Sequence, residues 1–392
     1  MLKAAGITAE YNPFHNGHAY HVRATKRLTA LPVIAVMSGS FTQRGESAFL
    51  DKWTRARLAV LGGVDLVLEL PACFTLRSAE FFARGAAEIL AATGCVSCLS
   101  CGAEHPELDF ASLAAKAGQE QTVSRLKSLM RSGLSYAAAA GRLLSADLEL
   151  GPNDILALEY TKALKGKDIR PLYIRRQACS YNSCSLSGAL ASARAIRRAV
   201  LEDIPGWEDL VPEGVASVLK MRPVGADLKL LGQLTAYRLR LLSAEQISAS
   251  ISATEGLEYV LKRAARASAY EDILSACSSK RYPLSRIRRL LLQLLLGFPR
   301  EFFEETRPAY LRVLAFNDTG RKLLREMKTV ASLPVLTTLG RQDFSRKTAF
   351  ARQLELETAS TDLWSLLQRD PALNIPGLDY LKAPVYVQKE GG

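Results

Sequence analysis

Two phosphate-binding strings are missing from this chain of 392 residues: neither G-x-x-x-x-G-K-[ST] nor G-x-G-x-x-G occurs. A phosphate site here is therefore of neither the P-loop nor the dinucleotide type. Long apolar runs are scarce too. The longest, Leu290 to Gly297, is broken by Gln293 and is far too short for a bilayer, and the first residues lack a basic stretch followed by an apolar one. No membrane association and a cytoplasmic location are expected. Cysteines number seven, an odd count at irregular spacings, which fits reduced thiols rather than a disulfide framework. Negative charge runs short: 39 acidic residues face 51 basic ones, for a net charge of +12. Such an excess favours polyanions, so nucleic acid joins small nucleotides as a candidate partner, against the alternative of a generally basic surface. With 48% hydrophobic residues the chain can bury a proper core, and its length suggests two domains.

Histidine is the rarest of these signals, with four in all, yet His15, His18 and His21 fall within seven positions. They belong to the stretch Ile7-Thr8-Ala9-Glu10-Tyr11-Asn12-Pro13-Phe14-His15-Asn16-Gly17-His18-Ala19-Tyr20. A short apolar run before it reads as a first strand, Asn12-Pro13 forces a turn, and Gly17 through Arg27 reads as a helix start. At such a corner, unpaired backbone N–H groups and the positive end of a helix dipole point outward. Two imidazoles with a glycine between them suit an anion there, whereas two polar residues decorating a turn is the plainer account.

Further strands are read at Leu31 to Met37, Val64 to Pro71, Cys95 to Gly102 and Asp168 to Ile174. Between the second strand and a helix opening at Asp51 lies a polar loop. Its Gln43 and Arg44, with Lys52 just beyond, place donors toward the first corner, a solvated connection being the alternative. Cys95, Cys98 and Cys101 share C-x-x-C-x-x-C spacing, but on a strand such side chains point to opposite faces, so buried thiols rather than a metal site are expected. Gly102 ends the fourth strand, where a side chain would crowd a nucleotide, or is simply a turn glycine. Asn153 or Asp154 caps a helix. Arg176 follows the fifth strand, where a guanidinium suits triphosphate. Beyond about Leu201 strand signals fade into a helical region with two candidate short strands near the end, at Pro334 to Thr337 and Pro384 to Val387. Its basic segment, with Arg281, Arg286, Arg288 and Arg289, reads as either an RNA face or a solvated helix.

Glu10 through His18 resembles the bacterial tRNA(Met) cytidine acetate ligases, a branch of the H-x-G-H nucleotidyltransferases. Ser38 through Pro71 and Ser78 through Phe82 resemble them as well, and Leu190 through Arg197 resembles the second signature of the wider superfamily. The resemblance implies a doubly wound α/β nucleotidyltransferase domain over residues 1–200 and a mainly helical, basic, tRNA-binding domain over 201–392. It implies ATP contacts from Ile7 through Tyr20 and from Gly102, Asn153 and Arg176. Phosphate contacts are expected from Ser192 and Arg197, with Mg²⁺ arriving on the nucleotide and no dedicated metal site. Arg194 and Tyr181-Asn182 depart from the family pattern. In the implied reaction, acetate and ATP give acetyl-adenylate, and the acetyl group passes to the wobble cytidine of elongator tRNA(Met). His15 and His18 would stabilise charge at the α-phosphate. A small-molecule adenylyltransferase or pantoate-type ligase, and a non-catalytic RNA-binding module, are the alternatives.

Overall fold

The computed structural model describes residues 2–132, 134, 136–144, 150–176, 192–221, 225–249, 256–279, 282–298, 306–340 and 348–388. Five parallel strands form the heart of one sheet: β1 (Ala4–Ala9), β2 (Val33–Ser38), β3 (Leu66–Leu70), β4 (Val96–Ala103) and β5 (Arg170–Arg175). Strands β2 and β3 are buried along their whole length, which is why they read as apolar runs, broken in β3 only by Glu69. Gly6 on β1 lets helix Ala79–Ala92 lie close, since a Cβ there would come within 2.6 Å of Leu90.

Their order, β5-β4-β1-β2-β3, contains a reversal. The chain winds outward from β1 through β2 to β3, then crosses back to set β4 on the other side of β1. Ligands bind at such switch points, beyond the carboxyl ends of the strands. The H-x-G-H corner leaves β1 at this place, and Gly102 lies near the end of β4 beside it.

The sheet does not stop at β3. Strand β6 (Leu311–Phe316) runs antiparallel to β3, with Leu66 opposite Phe316, and β7 (Val335–Leu336) and β8 (Val385–Tyr386) pair with β6. The two short strands fall where the sequence suggested, but β6 went unseen. A division near residue 200 therefore does not separate sheet from helices: the helices from Glu213–Lys220 to Leu284–Leu295 interrupt a sheet that resumes afterwards. Arg312 disguises β6, because it is a charge in the middle of an apolar run that nonetheless lies buried, donating from Nη2 to the Asp379 carbonyl at 3.1 Å.

Lys52 belongs to the same buried group and not to the loop at the first corner. Its Nζ lies 2.6 Å from Glu69 Oε1, 2.9 Å from Asp379 Oδ1 and 3.6 Å from Glu357 Oε1. Burial alone would lower its pKa, but Asp379, Glu69 and Glu357 together raise it, so the ammonium stays charged. Lys52 is thus a core tie between β3 and the C-terminal segment. Cys95, Cys98 and Cys101 are buried free thiols, with Cys101 pushed up to about 12 by burial. Among the described residues, no helix is long and apolar enough to cross a membrane.

Candidate active site

His15 is the N-cap of helix Asn16–Thr29, in extended backbone geometry. Its Nδ1 accepts from the Gly17 amide at 3.1 Å, and His18 Nδ1 accepts from the His15 amide at 3.3 Å. Capping is usually the work of an oxygen; here two ring nitrogens do it. A nitrogen that accepts carries no proton, so both neutral rings hold theirs at Nε2. Burial pushes His15 down to about 3, helped by the Arg176 charge, and holds His18 well below the ordinary histidine range. The corner thus presents two neutral N–H donors. His21 is also neutral, lowered to about 4 chiefly by burial, and its Nε2 lies 3.0 Å from Ser100 Oγ.

Arg55, wholly buried, ties the strand ends under this corner. It donates to the carbonyls of Glu10 at 2.6 Å, Ser38 at 3.0 Å and Leu50 at 3.1 Å, and also to that of Gly39. Asn12 Oδ1 accepts from the Phe49 amide at 2.7 Å. Arg197, from helix Ala193–Leu201, donates to the Asn12 carbonyl at 2.7 Å and to Glu46 Oε2 at 3.0 Å. It fixes the corner as well as charging it.

Across the switch point, Arg176 Nη1 donates to Asn153 Oδ1 at 2.8 Å, and a Cβ on Gly102 would meet Arg176 Cγ at 3.1 Å. Glu104 Oε2 accepts from the Asn153 and Asp154 amides, so a carboxylate of the protein holds the start of helix Pro152–Ala163. Buried Asp154 accepts from the amides of Glu104, His105 and Gly151 and pairs with His105 Nδ1 at 2.7 Å. Its bond to His105 raises that imidazole's pKa.

The loop after β2 forms the third wall. Gln43 N–H donates to Glu10 Oε1 at 2.6 Å, while Arg289 Nη1 donates to the Gln43 carbonyl at 3.0 Å. Gly45, at φ 72°, lies so close to helix Leu284–Leu295 that a Cβ would stand 2.6 Å from the Arg289 amide nitrogen. Burial pushes Arg289 down to about 10, with Arg286 and Arg44 adding to the effect.

These walls enclose a cavity of about 1380 Å³. Thr8, Ala9, Glu10, Tyr11, Asn12, His15, Gly17, His18 and Tyr20 line it, as do Gln43, Arg44, Gly102, Asn153, Arg176, Ser192, Arg197 and Arg289. Other expected residues lie elsewhere. Ile7, Phe14 and Ala19 are packed in the core, Phe14 filling the space that Gly62 leaves for want of a side chain. Pro13 is buried in the corner, and Asn16 turns away to donate to the Asp209 carbonyl at 2.8 Å. Ser192, though on the cavity wall, also caps its helix, accepting from the Ala195 amide at 3.2 Å. Arg288 is spent on Glu46 Oε1 at 2.8 Å rather than facing RNA, whereas Arg286 stacks 5.0 Å from the Tyr282 ring. Arg281 and Tyr181-Asn182 lie outside the described residues. Sequence reasoning missed Arg55, Glu104 and the His105–Asp154 pair; the nearest signal was the candidate cap at Asp154.

An H-x-G-H helix start at the turning point of a doubly wound sheet defines a nucleotidyl transferase, and the family model described as HIGH Nucleotidyl Transferase matches residues 2–375. A Thermoanaerobacter sp. (strain X514) protein, tRNA(Met) cytidine acetate ligase, is 35% identical over 399 residues, spanning 96% of this chain and 98% of the relative. Crystal structures of Thermotoga maritima TmcAL, one apo and one bound with alpha-thio ATP, superpose with TM-scores of 0.89 and 0.88. Each is 31% identical and covers 99% of this chain and all of its own. The chain belongs to the tRNA(Met) cytidine acetate ligase family.

Proposed function

We propose that this protein is an ATP-dependent ligase that activates acetate as acetyl-adenylate and acetylates N4 of the wobble cytidine in elongator tRNA(Met). The observation that carries the first step is the pair of Nε2–H donors, which reciprocal capping orients and burial keeps neutral. When acetate attacks the α-phosphate, negative charge grows on its oxygens, and preorganised donors stabilise that charge without reorienting. Arg176, Arg197 and Ser192 take the β- and γ-phosphates and the leaving pyrophosphate. Mg²⁺ comes with the triphosphate, carried by phosphate oxygens, because this wall is built of cations and N–H groups. The RNA enters past Gln43, Arg44 and Arg289, where the wobble base splays into the cavity. The setting is cytoplasmic, where tRNA, ATP and acetate meet.

Incubation with tRNA(Met), ATP and acetate, followed by mass analysis of the wobble nucleoside, tests this. N4-acetylcytidine that depends on all three supports it. Acetylation of a small metabolite with tRNA inert overturns it.

A further inference from the structure

Acylation of an exocyclic amine needs more than an activated acyl group, since the nitrogen must shed a proton as the new bond forms. The imidazoles at the corner cannot take it: both Nδ1 atoms accept backbone N–H groups, and both Nε2 atoms already carry protons. Among the carboxylates lining the cavity, Glu46 is held by Arg197 and Arg288, and Glu159 by Tyr136 and Lys162. Glu80 is exposed, and Glu10 remains.

Glu10 follows directly on β1, in the turn that leads to the two histidines. Its Oε1 accepts from the Gln43 amide at 2.6 Å, and its Oε2 has no partner among the described residues on a side chain that lines the cavity. Gln43 in turn receives the Arg289 guanidinium, so one chain of contacts joins the helical region to this carboxylate. Glu10 therefore stands between the phosphate-binding corner and the wall past which the RNA base enters. Of the other imidazoles lining the cavity, His21 has its Nε2 engaged with Ser100 Oγ at 3.0 Å, and His105 lies beyond the end of β4 with its Nδ1 paired to Asp154.

We infer that Glu10 is the general base of acetyl transfer. This rests on the proposed reaction. The N4 lone pair attacks the acetyl carbon, the bond from that carbon to the phosphate oxygen breaks with its electron pair leaving on AMP, and the N4 proton passes to Glu10 Oε2. Burial raises the Glu10 pKa, bringing its basicity nearer neutrality, and Glu46 acts in the same direction. The hydrogen bond from the Gln43 amide and the charges of Arg44 and Arg197 oppose this. Arg55, which binds the Glu10 carbonyl, and Tyr160 are the remaining ionisable groups interacting with it.

Glu10→Gln tests the role while keeping the acceptor for the Gln43 amide. Two steps are followed: acetate-dependent exchange of pyrophosphate into ATP, and acetyl transfer to tRNA(Met) from supplied acetyl-adenylate. Transfer is expected to fall by about 10²-fold, and at least tenfold more than exchange. Wild-type transfer should rise with pH and then level off, and that acid limb should vanish in the variant. Equal losses in both steps, or an unchanged pH profile, overturn the assignment, and a matching melting temperature rules out misfolding. Glu10→Asp, which retains a shortened base, should keep the acid limb at a reduced rate; its loss would also count against the role. A wild-type enzyme without acetate-dependent exchange would instead sink the parent reaction.

Discussion

The imidazoles of His15 and His18 stack with centroids 3.7 Å apart and planes 26° from parallel. Two charged rings would repel at that distance, and two neutral ones pack.

The ¹⁵N resonances of both rings should therefore keep the neutral Nε2–H pattern from pH 8 to well below the ordinary histidine range, as their lowered pKa values require. Appearance of imidazolium signals near pH 6.5 in the free protein would contradict the tautomer assignment. His18→Ala, which removes one donor, should slow acetate-dependent exchange by about 10²-fold while leaving tRNA affinity near wild type.

Acid should destabilise the protein through the same residues. His15 and His21 have folded pKa values of about 3 and 4, below the ordinary 6.5 of the unfolded chain. The unfolded state then binds more protons between these limits, so their contribution is present above pH 6.5 and is lost as pH falls toward 4. Urea midpoints at pH 7 and pH 5 measure it, and His21→Asn should show the smaller difference.

Lys52→Met should cost about 3–5 kcal/mol in urea unfolding, because Glu69, Glu357 and Asp379 lose their cation in a buried site. Unaltered stability would show that the carboxylates protonate without penalty.

Gly45→Ala should destabilise the protein and weaken tRNA binding together. The added methyl is strained at φ 72° and collides with the Arg289 backbone, pushing the loop off helix Leu284–Leu295. Thermal melting and a filter-binding titration read the two effects.

Of the arginines on that helix, Arg286→Ala should lower RNA affinity and make its salt dependence shallower by about one unit of slope. Arg288→Ala should leave the slope unchanged, since its charge is paired with Glu46. Equal slopes for both variants would remove Arg286 from the RNA contact.

Much of this was legible in the residues. Strands β1 to β4 stand out because both faces of a parallel sheet are largely buried, and the paired histidines stand out because glycine and proline frame them at a corner. What escaped depends on partners far along the chain. Lys52 reads as a loop cation until Glu357 and Asp379 are brought beside it, and the hold of Arg197 on the corner shows only once Asn12 and Glu46 are brought to it. β6 is hidden by Arg312, whose burial makes sense only with Asp379 in place. Glu10 shows in sequence as one letter of a motif, and the engagement of Glu46 and Glu159 elsewhere is what sets it apart.

The antiparallel pairing of β3 with β6 carries a consequence for biosynthesis. When the ribosome has made the parallel strands, β3 is still an open edge with unpaired amides and carbonyls. Its cover is encoded more than two hundred residues later, so the nascent enzyme must shield that edge through most of its own translation.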